Sequence, residues 1–395
     1  MDFFIERKNI KKVEIIIGAN YGDEGKGLLT RHFSLNAIHN NEKAIVVFSQ
    51  GTAQRGHTVD YNPKFRHIYH HFGSGTGDGL PTYFADTFWI HPMEFAREYA
   101  ELAQVGIHPV VYCHPDAPVI TPFDMLVDHV TMAWIAKQRG EREHGTCGLG
   151  SWCAIESKGR EQAYTISDFA TDDIQVLHYI MEDTWNKCLA ILIQRGVNVE
   201  ELPEYKEYFE PNSWRKEKLI TNFIGDIQFF LLHSSLVKFD LIYDAFEHII
   251  FENGQGLGLD MDVDNDWHTT SKTGIINPLI MLSDKEDFNA EVCYVTRSYL
   301  TRHGVGPLEE AVKKEEINSE MHDLTNVPNE FQGTLRYGYL EDKEQVKRIA
   351  TDWALVEHDK RFKKEMAITH CNEFEDLYQK AKYCSFNPFT VLNRE

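Results

Sequence analysis

The stretch from Lys12 to Gly27 constrains this chain more than any other part of it. A β-branched run, Lys12 to Ile17, gives way to GANYGDEGKG and then to a helical pattern from Leu28. Strand, glycine loop and helix in that order open an α/β unit. The glycines let the backbone approach a phosphate closely, and the N–H groups that begin a helix form an anion site. Lys26 adds a point charge suited to a phosphoryl group. The loop is not a Walker motif, because Gly27 and Leu28 follow Lys26 where Ser or Thr would hold magnesium. Asp23 and Glu24 lie inside the loop, and a carboxylate beside phosphate is repelled unless it binds a metal or takes a proton.

Further strands are predicted at Ala44 to Phe48, Val110 to Cys113, Ile249 to Glu252, Glu291 to Thr296 and Met366 to Thr369. Helical patterns run over Thr121 to Arg139, Asp172 to Gln194 and Lys216 to Leu236. The expected fold is α/β, with a mostly parallel central sheet and glycine loops at the strand ends, where ligands of such sheets bind. Residues 1–395 are expected to form one elaborated domain with helical excursions near 121–139 and 172–248. The polar segment Asn198 to Trp214 is expected to be a surface excursion. A second loop, Gly51 to Val59, carries Gly56-His57-Thr58 directly after a predicted strand, so adjacent strand ends would bring Asp23 and His57 together as an acid and base pair.

Seven cysteines, an odd number without C-x-x-C spacing, point to free thiols in a reducing cytoplasm and away from zinc. A formal charge of −21 would repel a phosphate backbone, so no nucleic-acid partner is expected. The sequence has neither a long apolar span nor a basic-then-apolar leader, so a cytoplasmic location without membrane contact is expected.

GDEGKG (Gly22 to Gly27) and GHT (Gly56 to Thr58) resemble the two glycine loops of the adenylosuccinate synthetase family. The resemblance continues through HFGSG (His71 to Gly75), GTCGLG (Gly145 to Gly150), FENGQGLGLD (Phe251 to Asp260) and HTTSKT (His268 to Thr273). It ends with YLTRHGVGP (Tyr299 to Pro307) and LRYGYL (Leu335 to Leu340). The resemblance implies a ligase that moves a triphosphate's γ-phosphoryl onto a purine O6, after which the amine of L-aspartate displaces phosphate at C6. Asp23 matches the base that takes the N1 proton, His57 the acid that stabilises the phosphoryl group, and Lys26 the charge that balances it. Mg2+ is the implied cofactor, with Asp23 and the Gly56 carbonyl as ligands. Gln255 matches a glutamine near the purine 6-position, beside Gly254. Thr146, Cys147, Thr270 and Ser271 fall in blocks near the nucleotide 5′-phosphate. Asn20, Gly22, Gly25, Gly27, Thr58 and Ser74 fall in the loops that line the substrates. Arg302 and Arg336 lie in blocks that bind nucleotide and aspartate carboxylates, for which a planar guanidinium is suited, and Thr334, just before the second block, is a further expected substrate contact. A homodimer is implied by the resemblance alone.

The sequence also departs from the family. Gln54-Arg55 stands where asparagine-alanine is usual, placing an extra charge at the expected substrate mouth. Leu149 stands where an arginine is usual, and LRYGYL is poor in arginine. Thr369-His370-Cys371-Asn372 replaces the guanine-reading Thr-Lys-Leu-Asp block, and only a short stretch separates it from Ser385-Phe386-Asn387-Pro388, the match to the terminal base-binding loop. Asn372 and Asn387 are therefore the expected base contacts. This compact ending resembles a viral branch of the family, whose members join aspartate to dGMP, giving N6-succino-2-amino-2′-deoxyadenylate. That branch often lacks the loop aspartate that is present here as Asp23. The expected acceptor is dGMP and the expected donor ATP or dATP; IMP with GTP stays open as the alternative. A P-loop-like kinase or NTPase without ligase activity is the competing class.

Overall fold

The structure, a computed structural model, describes residues 10–140, 148–158, 162–260, 272–304, 306–308, 310–321, 334–340 and 342–394. The chain enters through β1 (Lys11–Gly18), turns into α1 (Lys26–His39) and returns as β2 (Ala44–Phe48). A hairpin of β3 (His57–Asn62) and β4 (Phe65–Tyr69) precedes β5 (Thr82–Phe84). Then come α2 (Pro92–Gln104), β6 (Val111–Cys113), and three long helices, α3 (Pro122–Arg139), α4 (Ile174–Gln194) and α5 (Trp214–Leu232). After β7 (Ser235–Leu236) come the two long strands β8 (His248–Gly256) and β9 (Phe288–Arg297). β10 (Leu300–Arg302), β11 (Ala311–Val312) and β12 (Arg336–Gly338) form a separate antiparallel sheet. The chain then runs through α6 (Asp342–Trp353), β13 (Phe362–Thr369), β14 (Tyr383–Cys384) and β15 (Leu392–Asn393).

Among the described residues ten strands make the main sheet, in the order β15-β14-β13-β9-β1-β8-β2-β5-β6-β7. Neighbours are parallel throughout, except where β15 pairs antiparallel with β14. A central parallel strand is buried on both faces, which is why β2 reads as a continuous apolar run and β1 ends in one, Ile15 to Ile17, rather than alternating. Ile16 packs on one face with Leu29 and Phe33 of α1 and with the apolar stripes of α3, α4 and α5. Val13, Ile15 and Ile17 pack on the other face with Ile242, Ile275 and Ile349. β1 sits between β8 and β9, so the carboxyl ends of β1, β2, β8 and β9 open onto one rim.

α3 begins where its sequence says it should. Thr121 and Asp124 form a reciprocal capping box, Pro122 occupies the first turn, and Gly140 closes the helix at φ 72°. Two expectations are corrected. The helix expected to reach Leu236 ends at Leu232, and Ser235–Leu236 instead pairs with β6 at the sheet edge. The segment Asn198 to Trp214 is not merely superficial. Its helical turns bury Leu202 and lay Tyr205, Tyr208 and Phe209 on the main core. The described cysteines are free thiols, and no helix among the described residues is long and apolar enough to cross a membrane.

Candidate functional site

The loop after β1 turns through three left-handed positions near its middle, the adjacent Gly22 (φ 88°) and Asp23 (φ 54°) and, beyond Glu24, Gly25 (φ 93°). Glycine meets this demand freely, whereas Asp23 is one of the few side-chain types that tolerates it. Gly25 is the N-cap of α1 and no side chain caps that helix, so its first N–H groups face the loop. The two loop carboxylates have opposite fates. Glu24 turns inward and is fully buried, accepting from the Asn20 N–H, with its Oε2 3.4 Å from Lys26 Nζ. Burial raises the Glu24 pKa, and the nearby Lys26 ammonium opposes that rise. Asp23 points outward. Its carbonyl accepts from Arg297 Nε at 2.5 Å, and its Oδ2 lies 3.3 Å from His303 Nε2.

Gly27 brings the two sequence loops together. A Cβ there would come within 2.9 Å of the Thr58 carbonyl and 3.2 Å of His57 Cβ, so only glycine lets β3 lie against the first turn of α1. His57 is buried, with Nδ1 2.5 Å from Glu252 Oε1 and Nε2 3.2 Å from the Gly254 carbonyl. Burial lowers the His57 pKa, and the Glu252 carboxylate works against it. Glu252 also accepts from the Ser74 N–H at 2.9 Å and from the Ser74 hydroxyl. Burial alone would raise the Glu252 pKa, yet His57 and then Arg55 hold it below the usual carboxylate range. Ser74 is thus joined to the histidine through Glu252, a residue the sequence reading passed over. Its signal was a glutamate directly after the apolar run Ile249–Phe251, within the strand His248–Gly256.

Arg55 does not add charge to an open mouth. It is buried, stacks 3.1 Å above the Phe48 ring centroid, and donates to the carbonyls of His70, His71 and Phe72. Burial lowers its pKa to about 10, against the pull of Glu252 and Glu98. Asn20 is equally committed: its Nδ2 donates to Thr296 Oγ1 at 2.9 Å and its Oδ1 accepts from Arg348 at 2.7 Å. Gln255 is half-buried at the end of β8, next to Gly254. Arg302 and Arg336 are directly opposed across β10 and β12, and like charges so placed repel unless an anion or carbonyls intervene. Here Arg302 donates to the Pro307 carbonyl and Arg336 to the Gly306 carbonyl, both at 2.8 Å. Thr334 is exposed just before β12.

Asp23 and Gly56, at an exposed position before β3, present oxygen donors of the kind magnesium takes. Asn372 is exposed and donates its Nδ2 to Glu373 at 2.8 Å, and the short 3-10 helix beyond it starts at Glu375. Asn387 uses its Oδ1 on the N–H groups of Phe389 and Thr390, an Asx turn. Thr369 donates to the Glu24 carbonyl at 2.9 Å, so the block after β13 touches the glycine loop. Thr146, Cys147, Thr270 and Ser271 lie outside the described residues.

Residues 15–341 match the family model described as adenylosuccinate synthetase. The chain belongs to that family. Among curated relatives, the adenylosuccinate synthetase of Buchnera aphidicola (subsp. Schizaphis graminum) is 27% identical over 298 residues, covering 74% of this chain and 64% of the relative. That of Tropheryma whipplei (strain Twist) is 25% identical over 314 residues, covering 78% and 65%. The matched part of the chain thus spans about two thirds of the length of these relatives. Two solved structures share the fold. A fully ligated adenylosuccinate synthetase from Plasmodium falciparum has a TM-score of 0.64 at 16% identity, over 92% of this chain and 78% of that one. The succinoaminodeoxyadenylate synthetase of cyanophage S-2L, bound to dGMP and dATP, has a TM-score of 0.60 at 13% identity, over 98% and 96%.

Proposed function

We propose that this protein joins L-aspartate to C6 of a purine nucleoside monophosphate through a 6-phosphoryl intermediate, using a nucleoside triphosphate. The observation that carries the reading is the close packing of Gly27 against His57, which sets the open start of α1, Lys26 and the histidine around one point. Asp23 takes the N1 proton and makes O6 nucleophilic. The N–H groups of α1 and Lys26 receive the charge of the γ-phosphoryl group, and His57, held by Glu252, donates to it. Asp23 and the Gly56 carbonyl would hold magnesium, which would neutralise charge on the phosphates. The amine of aspartate then attacks C6, the C6–O bond breaks to release phosphate, and the amine gives up a proton to leave the C6–N bond.

We take the acceptor to be dGMP and the donor ATP or dATP. Support comes from the compact ending and from a cyanophage enzyme that bound dGMP and dATP and is covered over 96% of its length. The second reading, IMP with GTP, is favoured by the names of the curated relatives. We further take the enzyme to be a cytoplasmic homodimer. The test is phosphate release with dGMP, GMP or IMP, with and without aspartate, and the product mass measured. Aspartate-dependent release with dGMP supports the first reading and release with IMP alone the second. Release indifferent to aspartate would leave only an NTPase.

A further inference from the structure

We propose that His303 is a positioning residue for Asp23: it donates its Nε2–H to Oδ2 and thereby turns the other carboxylate oxygen toward the proton to be removed. The inference rests on Asp23 being the base, as read above. The Nε2 atom lies 3.3 Å from Oδ2, within donor–acceptor reach and of the length that tightens once substrate is bound. The Nδ1 atom is buried with no hydrogen-bond partner among the described residues. A hydrogen there would be a buried donor without an acceptor, so the tautomer with hydrogen on Nε2, facing the carboxylate, is the favoured one.

The surroundings fix both ends of this contact. Asp23 is held at φ 54°, and its carbonyl is tied to Arg297 Nε, so the backbone sets where the side chain starts but not how its carboxylate rotates. His303 directly follows β10, whose pairing with β12 anchors it from behind. From ahead, Arg302 and Arg336 donate to the Pro307 and Gly306 carbonyls and pin the turn. The Arg302 guanidinium also lies 4.8 Å from the ring centroid of Tyr21, two residues before Asp23, so the two segments are locked together beside the contact. Arginines expected to bind carboxylates therefore also hold the imidazole in place.

The amide nitrogen of glutamine reaches about where Nε2 sits, whereas that of asparagine reaches only to Nδ1. Asp23→Ala, His303→Val, His303→Gln and His303→Asn would be assayed for aspartate-dependent phosphate release, with melting curves to establish folding. His303→Val is expected to lower kcat about 20-fold or more, with KM for acceptor and triphosphate within about threefold. His303→Gln is expected to recover to within about threefold of the wild-type kcat, and His303→Asn to behave like His303→Val. A fully active His303→Val, or a His303→Gln as impaired as His303→Val, overturns the proposal while an inactive Asp23→Ala leaves the base standing. An Asp23→Ala that keeps more than about a tenth of the wild-type rate removes the base and this proposal with it.

Discussion

Asp23 and Glu24 are neighbours in the chain and opposites in setting, one outward beside His303 and one sealed beneath Lys26. At the second loop both partners are buried, His57 meeting Glu252 at one ring nitrogen and the Gly254 carbonyl at the other. A buried imidazole resists protonation, and here the Glu252 charge counteracts that resistance. His57→Asn is expected to lower kcat by roughly 10²-fold with little change in KM, because its contact matters most as phosphoryl charge develops. A change confined to KM would instead make it a binding residue. Glu252→Gln removes the charge that opposes burial, so the His57 pKa should fall further. The sign follows: the protonated fraction at neutral pH drops, and the alkaline fall of kcat moves to lower pH. A pH–rate profile superimposable on wild type would separate Glu252 from the histidine.

At the opposite end of the strands, β1 and β8 share a buried charge cluster. Glu14 lies between Lys12 Nζ, 2.9 Å away, and His248 Nε2, while His248 Nδ1 meets Glu42 at 2.7 Å. Burial alone would raise the Glu14 pKa, but the hydrogen bond and charge of His248, with Lys12, bring it below 4.5. A carboxylate lowered on folding contributes stability above its unfolded pKa and loses it as pH falls through the folded value. The urea midpoint is therefore expected to fall from about pH 5 downward, and Glu14→Gln to flatten that fall; equal slopes for the two proteins would exclude the effect. These elements also mark what the sequence could convey. β1, β2 and β9 were legible because central parallel strands carry short runs of apolar and β-branched residues, Ile15 to Ile17, Ala44 to Phe48 and Val292 to Val295. β5 and β7, with three and two residues, are too short for any period to register. The glycine loops were legible from composition, but inward against outward at Asp23 and Glu24 depends on Asn20 and on Arg297, far along the chain. Arg55 misled for the same reason, since its acceptors are backbone carbonyls, which no side-chain pattern reveals.

On the scale of the whole molecule, a chain of net charge −21 is read as binding several anions at once, so cations must be concentrated where the strands end. Lys26, Arg297, Arg302, Arg336 and Arg348 come from five separate segments to meet around Tyr21 and the glycine loop. On the reading proposed above, that cluster would serve phosphates and carboxylates, and charge alone cannot tell one base from another. Choice of the triphosphate is assigned by that reading to the compact ending, where Thr369 touches Glu24 and the Cys371 N–H bonds the Ser385 carbonyl at 2.9 Å. Those contacts bring the block after β13 and the terminal loop to the edge of the phosphate site, with Asn372 exposed there. An aspartate at such a position would accept from guanine N1–H and its 2-amino group. Asparagine offers one donor and one acceptor, which match the N1 acceptor and N6 donor of adenine. Its Nδ2 now meets Glu373, an exposed contact that a base edge can replace at little cost. We therefore expect kcat/KM to be higher with ATP or dATP than with GTP, and Asn372→Asp to shift the preference towards GTP. Measuring the three donors against both proteins decides it: a wild-type preference for GTP, or an Asn372→Asp variant with unchanged ratios, would refute base reading by Asn372.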